Sequence, residues 1–157
     1  MLGASLRERK MKARILLGLG LGSVALMSAP AVAKDHVVHM KNSSAAGPMA
    51  FEPMFVKASP GDTIRFVPSD PSHNAETIPN MLPAGVSPSA GQMNKEFVLK
   101  VSKPGLYGIK CKPHYTMGMV ALVQVGKGPS ENLAAAQAVK LPPLAQKRMT
   151  GMLAQAK

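Results

Sequence analysis

The sequence holds a single cysteine, Cys111, and no tryptophan. One cysteine excludes an intrachain disulfide framework, a four-cysteine zinc site and most iron–sulfur ligation. Aromatic residues make up 4% of the chain. That scarcity argues against a tryptophan-anchored carbohydrate or lipid site and against an aromatic–basic platform for nucleic acid. Acidic side chains are few, 8 against 19 lysines and arginines. No uncharged apolar run reaches the roughly 20 residues that a membrane-spanning helix needs, and no internal repeat is present. What is there is a chain of 157 residues, 46% hydrophobic, with 14 glycines, 14 prolines and 12 methionines. The hydrophobic share is that of a folded domain. The punctuation predicts many turns, and the methionines supply soft sulfur.

The first 33 residues read as an export signal rather than as fold. Arg7, Arg9, Lys10, Lys12 and Arg14 form a basic stretch, Ile15 to Met27 is an uncharged and mostly apolar run, and Ala31-Val32-Ala33 gives the small-x-small cleavage pattern. Gly18, Gly20 and Gly22 weaken the run as a membrane helix. Glu8 separates Arg7 from Arg9, so no paired-arginine signal is formed, and the general secretory route to the periplasm is expected. Met11 is an alternative start, because Met11 to Arg14 is already a sufficient basic stretch. Cleavage after Ala33 leaves fourteen basic and seven acidic side chains, a net charge of +7. An exported basic protein is expected to meet acidic protein partners. A lone thiol in an oxidising compartment must be buried and inert, or held as a ligand or nucleophile.

Residues 34–128 read as an all-β sandwich. Val37, Val38 and Met40 lie in a short strand, and Phe55-Val56 precedes the turn Ser59-Pro60-Gly61-Asp62. Ile64 and Phe66 alternate with Arg65 and Val67, and Phe97, Leu99 and Val101 alternate with Glu96, Val98 and Lys100, a period of two. Leu106 to Lys110 follows the turn Pro104-Gly105, with Tyr107 and Ile109 on one face. Met119 to Val125 is apolar on both faces, as a central strand requires. Short strands with repeated turn signals predict a sandwich. Asp70 to Gly91 is a long, loop-rich stretch of the kind that carries function. Residues 129–157 change character. Ser130 is expected to cap a helix over Glu131 to Val139, and Pro142-Pro143 to open a second helix. Ala145, Met149, Met152, Leu153 and Ala156 form the apolar stripe of that second helix.

The chemistry is concentrated in Cys111-Lys112-Pro113-His114-Tyr115-Thr116-Met117-Gly118-Met119, with His73 upstream in the long loop. Taken singly, each has a bland role: Cys111 and Met119 in a core, His73 and His114 on a surface. Taken together, one thiolate, two imidazoles and one thioether are the ligand set of a blue-copper electron-transfer site. Soft sulfur suits copper(I), and imidazole suits copper(II). Zinc fits less well, since thioether is a poor zinc ligand. His36 and His39, three apart on a strand, point to opposite faces and cannot chelate together. After cleavage, Lys34-Asp35-His36 would resemble an amino-terminal copper–nickel motif, here an adventitious site.

On His73-Asn74, Pro104-Gly105-Leu106-Tyr107, Lys110 to Tyr115 and Met117-Gly118-Met119, with the two terminal helices, the chain resembles the cupredoxin family, and within it the pseudoazurins. The resemblance implies a Greek-key sandwich of about eight strands, with one copper near one end held by His73, Cys111, His114 and Met119. It implies that Asn74 braces the cysteine loop, that His114 presents its edge in an apolar patch, and that Met49 and Met117 lie near the site. Ser72 stands where the family usually has glycine. The expected function is a monomeric periplasmic carrier, not an enzyme, passing one electron through His114. Copper nitrite reductase and c-type cytochromes are the implied partners. A copper chaperone or storage protein is the alternative. Lys110 and Lys112, both opposite the ligand face, are expected to steer acidic partners.

Overall fold

The computed structural model describes residues 32–157. The basic stretch and apolar run read as an export signal lie outside the described residues; Val32 and Ala33, the end of the expected cleavage pattern, are exposed.

Eight strands form two four-stranded sheets. The first has the order β2-β1-β4-β6, from β1 (Asp35–Ser44), β2 (Gly47–Glu52), β4 (Thr63–Pro68) and β6 (Phe97–Lys100). The second has the order β3-β8-β7-β5, from β3 (Phe55–Ala58), β5 (Glu76–Thr77), β7 (Gly105–Lys110) and β8 (Val120–Val125). β1 runs parallel to β4, and β3 runs parallel to β8; the other pairs are antiparallel. This is the expected cupredoxin sandwich.

Alternation along the strands builds the core. Val38 and Met40 of β1, Ile64 and Phe66 of β4, and Phe97 and Leu99 of β6 turn inward. They meet Ala121, Val123 and Val125 of β8 and Tyr107 and Ile109 of β7. The Phe51, Phe66 and Phe97 rings pack in series, 5.5 and 6.0 Å between centroids. The outward residues of the second sheet, Leu106, Val120 and Leu122, face a second cluster supplied by two helices. That second layer is why β8 is apolar on both faces.

The helices are α1 (Leu133–Ala138) and α2 (Pro143–Leu153). α2 follows expectation as far as Leu153: Pro143 opens it, and Ala145, Met149, Met152 and Leu153 are buried. Ala156, expected on the same stripe, lies beyond the helix end and is half-buried against the same cluster. α1 is shorter than predicted and Ser130 does not cap it. Asn132 occupies the cap position, and its side chain is turned to the strand instead. Asn132 Oδ1 accepts from the Leu106 N–H and its Nδ2 donates to the Leu106 carbonyl, each at 2.8 Å, so one amide imitates a neighbouring strand on β7. Two further elements were hidden in the sequence. β2 pairs with β1 as a hairpin, and β5 interrupts the long loop by pairing Glu76 with Lys110 and Thr77 with Ile109.

Candidate metal centre

β7 ends at Lys110, and the segment that follows turns tightly before β8 begins at Val120. The turn closes on itself. Met119 N–H donates to the His114 carbonyl (3.1 Å), and Cys111 N–H donates to the Met119 carbonyl (3.0 Å). Cys111 and Met119 are therefore bracketed side by side, both fully buried. Gly118 adopts φ +86°, and a Cβ there would lie 3.2 Å from the Leu144 main chain of α2. Glycine permits this close approach.

His73 reaches the same point from the other side of the sandwich end. Cys111 Sγ lies 3.8 Å from His73 Nδ1 and 3.6 Å from His114 Nδ1, and the two Nδ1 atoms are 3.1 Å apart. With bonds of roughly 2.0 Å to nitrogen and 2.3 Å to sulfur, these separations subtend angles of roughly 100–125° at a shared centre. The three groups thus fit one ion in a near-trigonal arrangement. His73, Cys111 and His114 form a possible-ligand cluster with every donor atom within 4.8 Å of the others.

The supporting contacts set the tautomers. His73 Nε2 pairs with Asn42 Oδ1 at 2.9 Å, so Nε2 carries the proton and Nδ1 presents its lone pair inward. Asn74 braces the loop as the family resemblance implied. Its Oδ1 accepts from Lys112 N–H at 2.8 Å, and its Nδ2 donates to the Gly91 carbonyl and Glu76, both at 3.3 Å. Ser72 takes the left-handed conformation (φ 72°) that favours glycine, with its N–H on Asn94 Oδ1. The serine therefore keeps a glycine-like backbone.

Burial pushes the Cys111 thiol above its ordinary value, against the lowering effect of nearby Asn74 and His114 N–H groups. Burial, then the nearby His114, pushes His73 below its ordinary value. Neutral imidazole is the ligating form, but a thiol must lose its proton to ligate. A cation's charge beside the sulfur would offset the cost of burial and favour the thiolate.

The family profile described as "Copper binding proteins, plastocyanin/azurin family" matches residues 38–126. Pseudoazurin from Paracoccus pantotrophus is 50% identical over 88% of this chain and 95% of its own length. The chain belongs to the pseudoazurin family of cupredoxins. The pseudoazurin structure from Methylobacterium extorquens AM1 superposes with a TM-score of 0.74 at 46% identity, covering 77% of this chain and 98% of that one. Native pseudoazurin from Hyphomicrobium denitrificans gives 0.74 at 48% identity, covering 78% and 98%. Pseudoazurins are blue copper electron-transfer proteins that bind one copper, and this chain shares that character.

Around this pseudoazurin centre the surface is mixed. His114 and Tyr115 are half-buried, while Pro113 and Met117 are exposed. Met49 is half-buried against the core. Lys112 is exposed, as expected. Lys110 is not free as expected: its ammonium pairs with Glu76 at 3.2 Å and lies 4.9 Å from the centre of the Tyr115 ring. The cross-strand pairing of β5 with β7 brings that carboxylate opposite.

The two other histidines stand apart from the cluster. His39 Nδ1 pairs with Ser69 Oγ at 2.8 Å on the exposed face. His36 Nε2 pairs with Asp62 Oδ2 at 2.9 Å, and Lys34 N–H donates to Asp62 Oδ1 at 2.9 Å. Strand pairing holds Asp35 and His36 against Thr63 and Ile64. A square-planar ion at the amino terminus would have to break these contacts.

Sequence reasoning missed Asn42, and also Arg148 of α2, whose guanidinium donates to the Gly118 carbonyl beside Met119 at 2.9 Å. Asn42 carries no local signal, since its partner is 31 positions away. Arg148 carries one: it follows Ala145 by three on α2, so helical periodicity puts a cation beside the buried stripe.

Proposed function

We propose that His73, Cys111, His114 and Met119 hold a single type 1 copper, and that the protein is an exported, periplasmic electron carrier. The observation that carries this reading is the convergence of one buried thiol and two imidazole Nδ1 atoms, 3.1 to 3.8 Å apart, beneath a half-exposed histidine. Copper, when bound, supplies a one-electron couple between its two oxidation states. The chain's own residues do the rest. Asn42 orients His73, Asn74 fixes the start of the loop, and the Met119–His114 and Cys111–Met119 main-chain bonds fix its end. A cage held this firmly moves little when the charge at its centre changes, which keeps the reorganisation barrier low. His114 is the ligand nearest solvent and is the exit for the electron. Protein side chains supply all four positions, so no open position remains for a substrate, which favours a carrier over an enzyme.

Residues 1–33 serve as the export signal. Acidic redox proteins, copper nitrite reductase and c-type cytochromes among them, are the proposed partners of a monomer.

The visible spectrum of the copper-loaded protein tests the reading. A short copper–thiolate bond gives intense visible absorption. Cys111→Ser is expected to abolish it while far-ultraviolet circular dichroism still reports the sandwich. A serine variant that stays blue would remove Cys111 from the site. Copper that exchanges freely and does not cycle reversibly would favour a storage or chaperone role.

A further inference from the structure

Arg148 of α2 makes no ion pair with a carboxylate among the described residues. Its guanidinium instead donates to four main-chain carbonyls. Nη1 reaches Met49 O at 2.8 Å and Gly118 O at 2.9 Å, and Nη2 reaches Pro48 O at 2.9 Å and Ala46 O at 3.2 Å. Three of these carbonyls belong to the β1–β2 hairpin, and the fourth belongs to the residue before Met119.

We propose that Arg148 is a positioning residue for the copper loop, setting the direction of the Met119 thioether by holding the Gly118–Met119 peptide in place. This rests on the ligand assignment above. The peptide is held at both ends: its carbonyl accepts from Arg148 at 2.9 Å and from the Val120 N–H at 3.0 Å, and its N–H donates to the His114 carbonyl. With both ends fixed, the peptide plane cannot rotate, and the direction in which Met119 leaves the main chain is fixed too. The backbone around the guanidinium is shaped to receive it. Met49 sits at φ 47°, outside the conformations most side chains take, and Gly47 at φ 104°, where a Cβ would approach Arg148 Nη2 to 3.2 Å. The planar fork of arginine suits several fixed acceptors at once, which a lysine ammonium does not reproduce. The helix thus acts on the metal through one side chain, and the hairpin carbonyls hold that side chain in register. The retained positive charge also opposes copper(II) more than copper(I).

Arg148→Gln and Arg148→Lys test this in the full mature chain. Hydrogen exchange on the metal-free protein, read by amide nuclear magnetic resonance, compares the Met119 amide with the Ile109 amide in β7. In the glutamine variant Met119 is expected to exchange roughly tenfold faster relative to Ile109, the factor that one lost charge-assisted hydrogen bond corresponds to. After copper loading, the electron paramagnetic resonance signal should change shape and the reduction potential should fall, while the thiolate absorption remains. The lysine variant should recover part of each effect. Arg148 is a structural staple only, and the proposal is overturned, if Met119 exchange relative to Ile109, the resonance signal and the potential all stay at native values while thermal stability falls. Should the glutamine variant fail to fold, the lysine variant decides on the same readouts. A native protein that takes up no copper overturns the ligand assignment instead, and the exchange ratio still judges whether Arg148 holds the loop.

Discussion

Asp62 sits beneath the start of β1 and takes three donors on one buried carboxylate. Ser59 N–H, His36 Nε2 and Lys34 N–H lie at 2.8, 2.9 and 2.9 Å. The Ser59 N–H first, then His36 and Lys34, hold its carboxyl down to about 2 from an ordinary 3.8. A carboxyl depressed in the folded state contributes stability that is complete above the unfolded value. That stability is lost as pH falls through the folded one. The native chain is therefore expected to lose stability between pH 3.8 and about 2 in part through this group. Asp62→Asn should be less stable at neutral pH and lose less across that window, read by denaturant titrations at each pH. Parallel curves for the two proteins would deny Asp62 the role. At this scale the residues proposed as ligands were the legible part of the sequence, and the structure brings His73, Cys111 and His114 together. Few side chains bind a soft metal, and a lone cysteine with histidine three on and methionine eight on is a narrow pattern. The residues that orient them were not legible. An asparagine or arginine can serve anywhere a main-chain or imidazole partner lies, and only folding shows which partner that is.

The elements were read well where a period was visible and poorly where it was not. β1, β4, β6, β7 and β8 carry alternating or continuous apolar residues, and α2 carries its stripe. β5 has only two residues, too few for any period. β2 begins Gly47-Pro48 and has no run of β-branched residues, so the hairpin with β1 had no propensity signal. The start of α1 failed for another reason. Ser130 was credited with a cap that its local sequence permits, but its N–H is drawn to the Lys157 carbonyl at 2.7 Å, a tertiary contact that shifts the helix start to Leu133. α2 packs Ala145, Met149, Met152 and Leu153 into the cluster that covers the outer face of β8, and Met149 has no exposed surface. Met149→Ala should cost about 2–5 kcal/mol, the range for deleting a buried large side chain. Equilibrium denaturation measures that cost, and the visible band of the loaded protein should not move, because Arg148 keeps its carbonyls. A cost within error of zero would mean that α2 is not an integral layer.

At the scale of the molecule, the described domain is basic, and its copper end presents Lys112 to solvent. Lys110 is engaged by Glu76 and contributes less free charge than its sequence neighbour. Steering of an acidic partner therefore rests more on Lys112. Exposed charges are screened beyond about 8 Å at physiological ionic strength, so association should be fast at low salt and slow as salt rises. Lys112→Glu should lower the second-order rate and flatten its salt dependence, leaving spectrum and potential unchanged. Stopped-flow mixing with a copper nitrite reductase across a salt series reads both. A native rate indifferent to salt would leave apolar contact around His114 as the determinant. The placement of the four proposed ligands has a consequence of a different kind. His73 is tied through Asn42 to β1 of one sheet, while Cys111 and Met119 leave β7 and enter β8 of the other. An ion gripped by both sets is a rivet between the two layers at that end. Whatever binds the folded chain and not the unfolded one adds its binding free energy to folding. Prising the layers apart and releasing the ion are then a single event. The strength with which the sandwich resists opening is set, at this end, by how tightly it holds its metal.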